Sequence, residues 1–534
     1  MSAAAAEPSP THEETSAHFS AGRKWIIALS VMLGTVLEVL DSSIVNVSLP
    51  HMQGSFSASV DEIAWVVTSY LVAAGIMIPM TGWIAGRFGR KRYFMFSIAA
   101  FVLASALCGV ARSLDQIVFF RLLQGAAGAA MMPLSQAILM ETFPPHEQAM
   151  AMAIWGVGLM VAPIMGPTVG GWITDAATWR WNFYINVPIG TAAAFLVSRF
   201  VEDPSYLRHL RQKSGIDYLG IICLVVALGL AEIVLDRGER SDWFASSWVW
   251  YCTLTSMAAF TLLAFHEWRT PEPIVAVRIL TNRNFTLPMS LLIFLTFTAY
   301  GTAILNPVFL QELLGYTASK AGMVMAPRGF GTMFAMLALG TVARRGVDTR
   351  PLVGLGFFLI AMALWFMAHF NLNVSIYSIV WPTIIQGFGM GLVFPGLSAA
   401  ALSTIERPKM GYATSLFAMT RNLGAAIGTS SLTTMLIRRE QVHQSYLVEH
   451  LSIFKVSQLS NSNLPSVNMD FVHQLATGQK QGLMMLYGFV QRHAMMLSFN
   501  DLYRFLCCIM LLAAPTFILL RRDTRALRSA REAH

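Results

Sequence analysis

The chain has 534 residues, 55% of them hydrophobic and only 12% charged, with a formal net charge of +8. Soluble domains carry about 25% charged residues, so a string of water-soluble globular domains is excluded. The apolar residues gather instead into runs near the roughly 20 residues that cross about 30 Å of hydrocarbon.

Residues 1–22 are rich in Ala, Ser and Glu and read as a disordered cytoplasmic N-terminus. Arg23 and Lys24 then precede a run too long for a cleavable signal peptide, so the first span doubles as an uncleaved anchor. Spans are expected near 25–47, 62–82, 93–112, 115–139, 149–173, 181–201, 217–236, 248–267, 285–312, 321–342, 351–370, 375–403, 411–437 and 499–520. That is an all-α membrane protein with fourteen transmembrane helices. The stretch 438–498, rich in Ser, Gln, Asn and His, is expected as the one sizeable extramembrane loop, and 521–534 as a basic tail. With the N-terminus inside, the inner segments hold 23 Lys and Arg residues and the outer ones 10. Both termini are therefore expected in the cytoplasm, with 438–498 in the periplasm. This placement in short inter-span segments also explains the positive charge without a nucleic-acid partner. Cys108, Cys223, Cys252, Cys507 and Cys508 lie in apolar runs without metal-ligand spacing and read as packing residues.

An internal repeat sets the domain organisation. Gln124-Gly125 precedes Pro133 by the same spacing that separates Gln386-Gly387 from Pro395, at an offset of about 260 residues. Two parallel six-helix halves with two helices between them account for that offset. The expected division is a six-helix bundle at 23–201, a linker with two extra spans at 202–283, and a second bundle at 284–520.

Charged residues inside the spans carry the chemistry. Glu38 and Asp41 are three apart and share a helix face. A carboxylate at this depth is costly and faces a cavity or the bundle interior. Two so close resist being ionised together, which suits one of them to carry a proton. The plainer alternative for Asp41 is packing at the helix end, and Glu38 could instead hold the cationic part of a cargo. Arg121 sits at the depth of Asp41, and a pairing, direct or through Gln124, would make a two-state switch. The alternative is an Arg that snorkels to the interface. Glu232 and Asp236, near the outer end of the seventh span, read as interfacial acids or as coupling groups. Arg421, deep in the thirteenth span, and Gln386 are candidates for cargo contact, or for pairing within the second half. Pro163, Gly166, Pro167, Gly170 and Gly171 bend and thin span 5 and allow a close approach to a helix of the other half. Gly82, Arg87, Gly89, Arg90, Lys91 and Arg92 make a tight basic inner turn, either a gate or topological anchoring.

Four motifs then carry a resemblance. They are Leu40-Asp41-Ser42-Ser43-Ile44-Val45-Asn46-Val47-Ser48-Leu49-Pro50, the run G-W-I-A-G-R-F-G-R-K-R from Gly82 to Arg92, Arg121-Leu122-Leu123-Gln124-Gly125, and Ala162-Pro163-Ile164-Met165-Gly166-Pro167-Thr168-Val169-Gly170-Gly171. Together they resemble the major facilitator superfamily, and within it the fourteen-span drug:proton antiporter branch of EmrB type. The resemblance implies a 6+2+6 major facilitator fold and a proton-coupling role for Glu38, Asp41 and Arg121. It also implies a cytoplasmic gate at Gly82–Arg92 and an antiporter motif at Pro163–Gly171. Gly86 stands where the superfamily usually has Asp, so the gate must be latched otherwise. Ala162 replaces the first glycine of the antiporter motif.

There is no G-x-x-x-x-G-K-[ST] nucleotide motif, no metal cluster and no nucleophile triad in the sequence. No enzyme activity and no cofactor is expected; an ion gradient supplies the energy. The expected function is proton-driven efflux of hydrophobic or amphipathic compounds across the bacterial inner membrane. The resemblance adds a periplasmic adaptor (EmrA-like) and an outer-membrane channel (TolC-like) as partners. A proton symporter importing a nutrient, and an exporter of one metabolite or fatty acid, are the competing readings.

Overall fold

The computed structural model describes residues 21–203, 216–344, 347–450 and 480–519. The tails expected at 1–20 and 520–534 lie outside the described residues. Six helices form the first half: α1 (Ala21–Phe56), α2 (Trp65–Phe88), α3 (Arg90–Val110), α4 (Leu114–Thr142), α5 (Pro145–Ala176) and α6 (Trp181–Phe200). Next come α7 (Tyr218–Arg237) and α8 (Ser247–Arg269). The second half holds α9 (Arg283–Leu313), α10 (Ala318–Arg344), α11 (Arg350–Met367), α12 (Ile376–Leu402), α13 (Met410–His450) and α14 (Lys480–Ala513).

Thirteen of these helices are long and apolar enough to cross a membrane. The exception is α13, which contains the expected span 411–437. Its Thr and Ser residues, with Arg421, Asn422 and Arg438-Arg439, leave no sufficiently apolar window. They are tolerated because α13 packs against α9, α14, α2 and α4, so much of it faces protein rather than lipid. Helix continues on both flanks of the loop expected at 438–498. There α13 runs to His450 and α14 starts at Lys480, the two tied by His443 to Asp501 at 2.9 Å. Only 451–479 lies outside the described residues.

The packing is that of a membrane bundle. Trp155, Phe94, Phe101, Phe183, Phe285, Phe357 and Phe417 are fully buried, whereas Trp172, Phe96, Phe334 and Leu512 stand exposed on helices built for lipid. Within the first half α1 packs on α5 and α6, and α2 on α4. Within the second, α10 and α11 pack on α12, and α9 on α13. The repeat is visible at its glycines: Gly125 closes on the Tyr70 carbonyl of α2, and Gly387 on the Arg328 carbonyl of α10. One difference separates the two copies. In α4 the helix is interrupted at Ala129-Ala130, while α12 runs unbroken through Pro395.

The halves meet near the turn that follows α2. A Cβ on Gly82 would lie 2.7 Å from the Tyr412 backbone of α13. Gly340 of α10 sits against Met150 and Ala153 of α5, and Gly156 of α5 against Met336. The rings of Trp155 and Phe394 stack at 6.2 Å. The extra pair leans on both halves: α7 packs on α2 and α13, and Trp243 donates to Thr434 Oγ1 at 2.9 Å.

Candidate functional site

Asp41 lies at the centre of a sealed polar network. It is fully buried, and the Arg121 Nη1 donor is 2.6 Å from its Oδ2. Gln124 Nε2 donates to Oδ1 at 2.9 Å, and Asn186 Nδ2 donates to the same oxygen at 2.6 Å. Arg121 is held in turn: its Nε donates to the Val66 carbonyl at 3.1 Å and its Nη1 to Gln124 Oε1 at 2.9 Å. Its guanidinium also lies 4.1 Å from the Tyr70 ring centre. Asn186 donates to Ser105 Oγ at 3.0 Å, and Ser105 to the Phe183 carbonyl at 2.9 Å. The carboxylate thus has three donors from two other helices, α4 and α6. Such an arrangement satisfies the carboxylate with charge-assisted hydrogen bonds in a site water does not reach. Removing the charge on Asp41 would leave Arg121 buried without its counter-ion.

Asn186, Ser105 and Tyr70 were not singled out by the sequence. Each is an uncharged residue in an apolar run, and the signal that finds Asn186 is its contact with Asp41, 145 residues away.

Glu38 lies one turn along α1 from this network and takes no part in its hydrogen bonds. Its Oε2 is buried without a hydrogen-bond partner, and the charges that act on it are Arg421 and Asp41. Arg421 is 8% exposed, packs its Nη1 on the Met132 sulfur, and donates from Nη2 to Asn422 Oδ1 at 3.2 Å. Glu38 and Arg421 belong to opposite halves and their charges interact. Gln386 belongs to the second half, where Nε2 donates to Thr302 Oγ1 at 3.2 Å.

The acids of α7 lie apart from this centre. Glu232 faces Gly75 of α2, with its carboxyl carbon 3.9 Å from where a Cβ would be. Asp236 is exposed, accepts from Thr68 Oγ1 at 2.5 Å, and has Arg237 Nε at 3.6 Å.

The Gly82–Arg92 turn makes a second polar centre. Arg90 is 3% exposed, pairs with Glu141 at the end of α4, and donates to the Arg407 carbonyl of the second half at 3.4 Å. These contacts hold the turn although Gly86 replaces an acid. Gly89 adopts φ +96, a region that favours glycine, and faces Asp203. Asp203 Oδ1 accepts from the Lys91 backbone N–H at 2.8 Å, and Lys91 Nζ donates to the Ser198 carbonyl at 2.6 Å. Arg87 lies 5.7 Å from the Trp83 ring centre, and Arg92 is exposed.

Helix α5 runs through Pro163 and Pro167. The close approach at its glycines is to α1 of the same half, not to the other half. Gly166 would place a Cβ 2.5 Å from Ser43, Gly170 one 3.0 Å from Ile44, and Gly171 one 3.9 Å from Val47. Contact of α5 with the other half comes from its first turns, through Met150 and Gly156. The antiporter glycines therefore press α5 onto the α1 segment that carries Asp41. Asn182 pins the same junction, donating to Thr174 Oγ1 at 2.7 Å and to Ser48 Oγ at 2.5 Å.

The family model described as Major Facilitator Superfamily matches residues 31–429. The chain is 36% identical to the multidrug export protein EmrB of Escherichia coli K12 over 456 residues, covering 85% of this chain and 88% of that protein. It is 34% identical to the fatty acid resistance protein FarB of Neisseria gonorrhoeae, over 81% of this chain and 84% of FarB. A solved structure of the proton:xylose symporter XylE shares the fold, with a TM-score of 0.64 over 96% of this chain and 99% of that one, at 12% identity. With that match over most of its length, on a bundle of apolar helices, the chain is a multi-pass membrane protein and belongs to the major facilitator superfamily.

Proposed function

We propose that this protein exports hydrophobic and amphipathic compounds across the bacterial inner membrane, driven by proton entry. The observation that carries the reading is the Asp41–Arg121–Gln124–Asn186 network, a buried carboxylate held by a cation that its protonation would release. The similarity to multidrug export proteins supports the direction of transport. With the basic turn in the cytoplasm, contacts between the halves close the cytoplasmic side. Protons entering from the outside reach Glu38 and Asp41. Neutralising Asp41 frees Arg121, the halves rock to open inward, and cargo binding there favours proton release. Each proton falling through 100 mV supplies about 2.3 kcal/mol. No nucleotide or cofactor enters the cycle. Both termini lie in the cytoplasm, and the outer ends of α13 and α14 face a periplasmic adaptor (EmrA-like) that leads to an outer-membrane channel (TolC-like).

The test is a drug-susceptibility panel in an efflux-deficient host, with uptake into proteoliposomes beside it. Wild type raises resistance, and Glu38→Gln and Asp41→Asn lower it at equal expression. Equal resistance from all three would sink the coupling assignment. Cargo moving in the same direction as the proton would make the protein a symporter.

A further inference from the structure

The two halves differ in charge at equivalent places. Gln124 donates to Asp41 in the first half, and Gln386 donates to Thr302 in the second, so Thr302 stands where Asp41 does. Three residues before each Gln stand Arg121 and Thr383. The acid and its arginine are thus both replaced by threonine. Yet the second half has an arginine of its own. Gly125 closes on the Tyr70 carbonyl and Gly387 on the Arg328 carbonyl, so Arg328 takes the place of Tyr70.

Arg328 has lost the acid that would balance it. It is half-buried in α10, and Nη2 donates to the Ala299 carbonyl at 3.3 Å and contacts the Met390 sulfur at 3.2 Å. Both acceptors are neutral, and no carboxylate lies within 4 Å of it among the described residues. By contrast Arg121 pairs with Asp41, Arg90 pairs with Glu141, and the charge of Arg421 acts on Glu38. A second donor lies about two turns along α9 from Ala299. Tyr503 hydroxyl donates to Asn306 Oδ1 at 2.8 Å, and the buried Asn306 Nδ2 has no partner among the described residues. Ala299, Thr302 and Asn306 share one face of α9.

We propose that Arg328 and Asn306, the latter held in place by Tyr503, form an anion subsite in the second half, taking the carboxylate of an amphipathic acid. A lone guanidinium and an amide N–H suit a monoanion, and an uncompensated cation at this depth is costly until one arrives. The subsite rests on the export reading for its role in transport, but its occupancy can be measured by binding alone.

The probe is dansyl-aminoundecanoic acid, with its methyl ester and tetraphenylphosphonium as controls, titrated into the full-length protein in lipid nanodiscs. Wild type binds the acid about 10-fold or more tightly than the ester, the scale of one charge-assisted hydrogen bond. Arg328→Gln loses that preference and keeps tetraphenylphosphonium affinity, which reports an intact fold. Arg328→Lys keeps part of it, because a point charge lacks the guanidinium fork. Asn306→Leu reduces it if Arg328→Gln does not fold. Equal binding of acid and ester by wild type, or a preference that survives in Arg328→Gln, overturns the proposal. So does complete loss of the preference when gluconate buffer is replaced by chloride, which would assign the subsite to a small inorganic anion. Wild-type proteoliposomes that bind the acid but never move it against a gradient would refute export while leaving the subsite standing.

Discussion

At the scale of single residues, the stability of Asp41 and Arg121 is shared. Each is at most 1% exposed, so either one left alone is a buried uncompensated charge. Breaking a buried pair from one side costs about 3–5 kcal/mol, whereas removing both charges together costs far less. Arg121→Gln should therefore lower the melting temperature of the purified protein sharply. Adding Asp41→Asn to it should restore most of the loss, and neither form should transport. Melts of the single and double variants decide this, and additive destabilisation would show that the two charges act independently. Much of this site was readable before the structure. Charges inside apolar runs are rare and expensive, so Glu38, Asp41 and Arg121 stood out. Asn186 and Ser105 did not, because a single Asn or Ser in an apolar run costs little to place and its partner is set by tertiary packing.

At the scale of elements, glycine sets how closely helices approach. The missing side chain of Gly82 lets α2 lie directly on the Tyr412 backbone. A methyl group 2.7 Å from backbone atoms cannot be relieved by a rotamer change, so α2 and α13 must separate. Gly82→Ala should keep the protein folded but shift it away from this closed arrangement. Spin labels near Phe88 and Lys409 should report a longer distance in the variant, and an unchanged distance would refute the account. The elements also show where sequence patterns lose reach. The apolar runs located the spans, but α1 continues through Pro50 to Phe56 and α13 runs on to His450. Beyond the lipid a helix needs only a partner or water to satisfy its side chains, and hydropathy no longer marks its end. The partner of the antiporter glycines was misassigned for a related reason. Small residues announce a close contact without saying which helix supplies it, and here it is α1.

At the scale of the whole molecule, the repeat supplies the architecture and its asymmetry supplies the mechanism. The first half keeps a balanced acid–base pair, while the equivalent positions of the second half carry threonines. Under the export reading, protons and cargo act on different halves and communicate through Glu38 and Arg421, whose charges interact. Coupling then requires that the halves separate at the seam between α5 and α10 in every cycle. Ala153 of α5 and Gly340 of α10 lie on that seam, with 3.2 Å between the Ala153 Cβ and a Cβ placed on Gly340. Disulfides join Cβ atoms about 3.5–4.5 Å apart, so a small outward shift of the helices brings two cysteines into range. The double variant Ala153→Cys/Gly340→Cys, made in a background lacking the five native cysteines, should crosslink under mild oxidation. Transport should stop when the bond forms and return when a reductant breaks it, with neither single variant responding. Full transport by the crosslinked protein would mean that this seam never opens, and the rocking of the two halves would have to be abandoned.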